Sequence, residues 1–344
     1  MAYTTIDKPS DYFNTTLYTG NGSNNHTISG VGFQSDLTWL KSRSSAISHM
    51  WIDAVRGVNT VINSNTNDAE TTFNCLDPWN SDGFVLSNNT NFNGNGVTFT
   101  SWNWLANGAG SANTDGTISS TVSANTTSGF SIVSYTGTGA NATVGHGLGV
   151  APSMVITKRL SSTDDWIVWN KGLTNPASYL YLNSSNAEMG SVAAYQNITP
   201  TSTLLYPGTD GRTNGNGDTY ISYVFADVQG YSKFGSYTGN GNADGTFVYT
   251  GFKPAWVMVK RTDTTNDWKI IDNKRATFNV AGKTLKANSS DAEDGTENYY
   301  DFCSNGYKIR NSAGALNASG GSYIYMAFAE APLVGTNNVP CTAR

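Results

Sequence analysis

The 344-residue chain reads as all-β, organised as three tandem antiparallel β-sandwich repeats of jelly-roll-like kind. Three observations predict this. The chain spells "YTGNG" at 18–22, "YTGTG" at 135–139 and "YTGNG" again at 237–241. Its apolar residues come in runs of four to six, rich in Val, Ile, Tyr, Phe and Trp. Turn clusters such as "NFNGNG", "DGRTNGNGD" and "GNADGT" separate these runs, with almost no helical periodicity.

The repeats are located by register. From the tyrosine of each opening motif to the lysine closing the next apolar run ("WLKSR", "VITKR", "VMVKR") the gap is constant: 41−18, 158−135 and 260−237 all equal 23. Twelve residues on stand Asp53, Asn170 and Asp272, closing "HMWID", "WIVWN" and "WKIID". "NTNDAE", "NSSNAE" and "NSSDAE" follow, ending at Glu70, Glu188 and Glu293; each has room for one short helical turn. "SDGF" and "SNGY" mark the first and third copies only, and the aromatic runs "TFTSWNWLA", "TYISYVFAD" and "SYIYMAFAE" close all three. "YISYVFA" alternates at period two, as a strand with one buried face does.

These landmarks divide the chain into an N-terminal arm (1–16), a first repeat (17–105), a linker (106–129), a second repeat (130–227), a third (228–332) and a C-terminal tail (333–344). The stretch 106–129 is almost wholly small and polar, hence its reading as a linker or extended excursion. Only "VQGYSKFGS" separates the second and third repeats, which places them against each other.

Composition limits the function. Charged residues are 13%, about half the usual ~25% of soluble chains. A net charge of −5 without clustered Lys and Arg argues against nucleic acid. No apolar run approaches a membrane span of about 20 residues. "MAYTTIDKPSDYF" has neither the basic start nor the apolar stretch of a signal peptide, so synthesis and assembly in a cytoplasm are expected. Cys75, Cys303 and Cys341 are far apart and odd in number, which predicts three ordinary thiols.

Each repeated feature admits a chemical reading beside a structural one. "YTGNG" lacks the Lys-Ser/Thr and the helix of a phosphate loop, so its glycines read as turn positions. The Asp/Asn and Glu positions invite a glycosidase reading, which needs a carboxylate pair in one cleft. Presence in every copy, and Asn170 in place of Asp, point instead to a fold role such as accepting backbone N–H groups. The histidines His26, His49 and His146 fall at no shared register in this reading and have no triad partners. "NADGT" and "NGNGD" are compatible with Ca²⁺ in composition but lack an EF-hand's order. Lys41, Lys158 and Lys260, with Arg43, Arg159 and Arg261, suit a charged strand edge or ion pairs with Asp53 and Asp272. No catalytic, cofactor or metal-binding residue is assigned. Trp79, Trp102, Tyr179, Tyr181, Tyr299 and Tyr300 are the candidate surface, glycan or interface contacts, the competing reading of them being core.

Four stretches carry a family resemblance: "AYTTIDKPSDYFNTTLYTGNGS", "SWNWLANGAGSANTDGTISSTVSANTTSGFSIVSYTGTG", "GYSKFGSYTGNGNADGTFVYTGFKPAWVMVKR" and "YIYMAFAEAPLVGTNNVPCTAR". They resemble uncharacterised tandem-repeat structural proteins of tailed bacteriophages, mainly marine, along essentially the whole chain. The resemblance implies a non-enzymatic virion protein, and no catalytic residues come with it. The leading expectation is a tail fibre or tail-associated adhesin that displays its domains toward host-surface glycans, where several weak sites gain by avidity. A capsid decoration or cement protein is the alternative, with residues 1–16 and 333–344 gripping neighbours; a carbohydrate-degrading enzyme ranks below both. Expected partners are further copies of the chain (a trimer being one form), other tail or capsid proteins and host glycans.

Overall fold

In a computed structural model, which describes residues 2–297 and 299–341, the chain is all-β with several antiparallel sheets and, among the described residues, four single-turn α-helices and one 3-10 turn. Three larger sheets share one strand order, in which the first strand of a segment pairs with its last, the last with the second, and the second with the third. In the first segment, whose opening strand starts at Phe13 inside the expected arm, the order is Phe13–Thr19, Thr98–Trp104, Leu37–Ser42, Met50–Asp53. In segment 130–227 it is Phe130–Thr136, Thr219–Phe225, Met154–Arg159, Ile167–Asn170, and in segment 228–332 it is Ser232–Thr238, Ser322–Pro332, Phe252–Arg261, Lys269–Asp272.

Both faces of these sheets are buried. Along Ser322–Pro332, Ile324, Met326 and Phe328 enter one core while Tyr323, Tyr325, Ala327 and Ala329 enter another. Thr219–Phe225 behaves alike, with Ile221, Tyr223 and Phe225 on one side and Tyr220 and Val224 on the other. Its period-two pattern therefore sorts residues between two cores, not between core and water. That corrects the expectation of a single buried face. The outer faces are covered locally: Gly83–Leu86 with its neighbours covers the first segment, and Gly306–Ile309 with its neighbours the third. "SDGF" and "SNGY" supply the hairpin turns of these two covers. A Cβ on Gly83 or Gly306 would stand 2.1 Å from a carbonyl oxygen of the adjacent strand. The second segment, which lacks the motif, is covered by the ribbon Val144–Gly145/Leu204–Leu205 and the helix Val192–Tyr195.

The inner faces meet in one core. Trp39, Trp51, Trp102 and Trp104 pack with Ile132, Trp166, Tyr223 and Phe225 and with Trp256, Trp268, Met326 and Phe328. Trp256 meets the first segment's Trp39, Trp102 and Trp104 in edge geometry, the last with centroids 6.0 Å apart at 88°.

Each opening turn is held in the same way. The tyrosines Tyr18, Tyr135 and Tyr237 donate to the carbonyls of Phe92, Thr213 and Leu316. The next residues, Asn93, Asn214 and Asn317, are fully buried, and their carbonyls accept the N–H groups of Gly22, Gly139 and Gly241. Their amides donate back into the loops, as Asn214 Nδ2 does to Ala140 and Gly208. The two glycines of the motif answer different demands. Gly20, Gly137 and Gly239 touch backbone, a Cβ there lying 2.2–2.3 Å from a carbonyl oxygen. Gly22, Gly139 and Gly241 have φ of 68°, 71° and 69°.

Three expectations are revised. The stretch 106–129 is not a free linker, because Ser111–Asn113 and Ser120–Asn125 extend the second segment's sheet beyond Phe130–Thr136. Arm residues Ile6 and Phe13 are buried in the common core, and Asp7 accepts the backbone N–H of Thr336 at 2.7 Å, so arm and tail clasp each other. The "NxxxAE" stretches hold a turn followed by extended chain rather than a helical turn. The single-turn helices lie elsewhere, three of them (Thr90–Asn93, Gly211–Asn214, Gly314–Asn317) ending at the buried asparagines.

Candidate functional site

The chemically capable residues shared by the segments converge on three junctions, which close a ring. The buried lysines begin it. Lys158 donates to Asp164 O at 2.8 Å and across to Asn67 O at 3.1 Å. Lys260 donates to Arg261 O at 2.7 Å and across to Ser185 O at 3.2 Å, and Lys41 to Ser42 O at 2.8 Å and across to Ser290 O at 3.1 Å. The second segment thus reaches the first, the third the second, and the first the third. Burial pushes all three ammonium groups down to about 8. They neither line an open strand edge nor pair with Asp53 or Asp272, the two roles expected of them.

The glutamate stretches meet the same strands from the other side. The N–H groups of Glu70, Glu188 and Glu293 donate to the carbonyls of Leu160, Thr262 and Arg43 at 2.8–2.9 Å. Indole N–H groups add a further tie, Trp166 to Asn63 O at 3.0 Å and Trp268 to Tyr181 O at 2.8 Å. His49 occupies the corresponding place in the first segment, four residues before Asp53 as Trp166 is before Asn170 and Trp268 before Asp272. Its Nε2 lies 2.8 Å from Lys286 O, and Trp39 Nε1 donates to its Nδ1 at 2.7 Å. His49 therefore does fall at a shared register, contrary to expectation. Burial holds its imidazole well below the usual histidine range.

Beneath these ties sit buried carboxylates. Asp53 accepts from Arg56 Nε at 2.6 Å and from Tyr223 of the second segment at 2.7 Å. Asp272 accepts from Arg275 Nε at 2.6 Å and from Trp102 Nε1 of the first at 3.0 Å. Each guanidinium continues to a glutamate, Arg56 to Glu70 at 2.9 Å and Arg275 to Glu293 at 3.2 Å. An arginine thus bridges the acid pair that invited a glycosidase reading. In the second segment the set is neutral. Asn170 replaces Asp, Leu173 stands three residues on where Arg56 and Arg275 stand, and Met326 holds the register of Tyr223 and Trp102. Asn170 Nδ2 is left buried without a partner.

Arg43 is also out of step with its expected counterparts. It lies two residues past Lys41, whereas Arg159 and Arg261 lie one past theirs; its true equivalents are Leu160 and Thr262. All three donate their N–H groups to the matching strand, to the carbonyls of Thr98, Thr219 and Ser322. Arg43 grips Glu293 with two bonds of 2.8 and 2.9 Å. Arg159 pairs with Asp218 at 2.7 Å and Arg261 with Asp263 at 2.8 Å. Where neither Arg43 nor Arg56/Arg275 has an equivalent, between the second and third segments, a cleft of about 730 Å³ opens. Glu188, Asp263, Thr262, Tyr237, Tyr323 and Ser236 are among its lining residues.

Of the candidate contact aromatics, Trp102 and Tyr300 are fully buried and Tyr299 and Tyr179 nearly so. These four fill cores because both sheet faces are covered. Tyr181 is half-buried and accepts from Arg212, whose guanidinium lies 5.2 and 5.6 Å from the rings of Tyr179 and Tyr181. Trp79, also half-buried, donates to Thr38 at 3.2 Å. The structure does not bring the six together.

The turn carboxylates with Ca²⁺-like composition are already paired, Asp218 with Arg159 and Asp244 with Lys308 at 3.0 Å. Among the described residues no group of three His, Cys, Asp or Glu side chains could hold a metal ion. Cys75 is buried, which raises its thiol to about 12; Cys303 is half-buried and Cys341 exposed, and none is bonded to another. No helix of the described residues is long and apolar enough to cross a membrane.

A protein-family model matches residues 8–332, spanning all three segments and every junction. The chain belongs to the family described as Domain of unknown function (DUF7483). No curated protein and no solved structure matches it. The family match runs from within the arm, at residue 8, to the end of the last strand at Pro332.

Sequence reasoning missed the residues that bind the junctions most tightly. Arg56 and Arg275 carry a signal in hindsight, the repeated D-x-x-R of "DAVR" and "DNKR". Asn93, Asn214 and Asn317 carry another, Asn-Gly/Ala-x-Gly in "NGNG", "NGNG" and "NASG".

Proposed function

We propose that this DUF7483 member is a non-catalytic structural protein of a tailed-phage virion, built from three diverged copies of one β-sandwich unit arranged quasi-symmetrically in a ring. The observation that carries the non-catalytic reading is the use of the shared polar residues. Lys41, Lys158 and Lys260, with Asp53, Asp272 and Glu293, bond side chain or backbone of the neighbouring segment, while Arg56 and Arg275 link those aspartates to Glu70 and Glu293 within their own segment. A repeated enzyme would keep such groups open to solvent and near one another.

The virion placement rests on the resemblance set out above, with a tail fibre or tail-associated adhesin as the leading role and host-surface glycans as its target. Capsid decoration is the second reading. It relies on arms that reach neighbours, and Ile6, Asp7 and Phe13 are instead engaged within their own chain, which favours the tail. Copies of the chain, including trimers, and other tail or capsid proteins are its proposed partners. Gold-labelled antibody against the protein, applied to purified virions, tests the placement. Label at the tail tip or fibres is expected. Label over the icosahedral shell would move the protein to the decoration class, and its absence from virions would overturn both.

A further inference from the structure

The cleft between the second and third segments differs from the other two junctions in the fate of its glutamate. Glu293 is held by two guanidinium groups, those of Arg43 and Arg275. Glu70 is held by one, that of Arg56. Glu188 stands in the same place, its N–H bonded across the junction like theirs, and forms no ion pair among the described residues. The counterpart of Arg43 is Thr262 and the counterpart of Arg275 is Leu173, so both cationic side chains are missing at once. One bond satisfies the carboxylate in part: Thr174 N–H donates to Glu188 Oε1 at 2.8 Å. Asp263, the other acid of the cleft, is already gripped by Arg261 through both oxygens.

We propose that this cleft receives an arginine side chain from a partner protein, whose guanidinium takes the place that Arg43 takes against Glu293. The chemistry favours guanidinium over ammonium. A carboxylate held in a junction built for a planar fork accepts two parallel N–H bonds, which a lysine cannot supply. Around it Thr174 and Ser236 offer hydroxyls to a flanking peptide backbone, and the cleft's volume of about 730 Å³ accommodates more than the side chain alone. This site is independent of where in a virion the protein sits.

The probe is N-acetyl-arginine methylamide, titrated by NMR against the full chain, with the citrulline and lysine analogues as controls. Citrulline keeps the shape and removes the charge. Saturable binding of the arginine probe in roughly the millimolar range is expected, with citrulline at least about tenfold weaker and lysine between them. Glu188→Gln should weaken arginine binding by about tenfold or more while leaving the fold intact, since the side chain is half-exposed. Thr262→Arg should fill the site from within, abolishing probe binding and raising the thermal midpoint. Binding of arginine and citrulline with equal affinity, unchanged binding to Glu188→Gln, or no saturable binding by the parent chain would each overturn the proposal.

Discussion

Lys41, Lys158 and Lys260 show how a residue that reads as surface charge becomes a structural bolt. Each is at most 1% exposed and spends its ammonium on carbonyl oxygens of two different segments. Burial lowers each group from 10.5 to about 8. Between those values the unfolded chain holds protons that the folded chain has released, so stability rises with pH across that window. Each lysine contributes a slope of up to about 1.4 kcal/mol per pH unit. Groups on either side of this window add to the effect below it and oppose it above. His49 is kept neutral when folded, so below about pH 6.5 the unfolded state gains a proton and stability falls. Tyrosines such as Tyr18, Tyr223 and Tyr300 are raised well above 10 by burial, so above pH 10 the unfolded state ionises first and stability falls again. Denaturant midpoints should therefore climb from pH 8 to 9.5 and drop at pH 11; a flat or falling profile between 8 and 9.5 would show that the lysines stay charged.

At the scale of elements, the turn after Met50–Asp53 and Lys269–Asp272, D-x-x-R in both and N-x-x-L after Ile167–Asn170, decides how its junction is closed. Asp272 and Arg275 have side chains with no exposed surface and share bonds with Trp102 and Glu293. Removing the cation alone strands a buried carboxylate. Arg275→Leu should cost about 3–5 kcal/mol, because charges taken from water need their partner. The paired exchange Asp272→Asn with Arg275→Leu copies the second segment's neutral arrangement, and should cost less than the single change. Urea unfolding of the parent, the single and the double variants tests this; a double variant less stable than the single would show that the pair contributes more than mutual neutralisation. The constant spacings exposed the elements themselves, since 23 and 12 residues are fixed by strand and turn lengths. The bonds were hidden because Arg56 and Arg275 find their second partners 14 and 18 residues away, across loops whose lengths had drifted.

For the molecule as a whole, the common core makes the segments interdependent. Trp166, Tyr223 and Phe225 of the second segment pack against Trp51, Trp104 and Phe328 of the others, with ring centroids 4.8–6.4 Å apart. A fragment of residues 130–227 would expose that face, and its lysine and indole would lose their acceptors at Asn67 and Asn63. Such a fragment should show no cooperative transition by circular dichroism, while the full chain unfolds in one. A stably folded fragment would mean that each outer core suffices alone.

The sequence by itself determined the all-β class, the three-fold recurrence of landmarks and the glycine turns. These depend on short-range causes: period-two burial, strand length, and backbone positions that admit no side chain. Only tertiary structure decided that Trp102 and Tyr300 are core, that 106–129 joins a sheet, and that Glu188 alone among its equivalents lacks an arginine. Trp102 is enclosed by Trp256 of the third segment, Tyr300 by the outer core of its own segment, and Glu188 is left open by what faces it across the junction; which residues come together on folding is a property of the closed chain that no local pattern encodes.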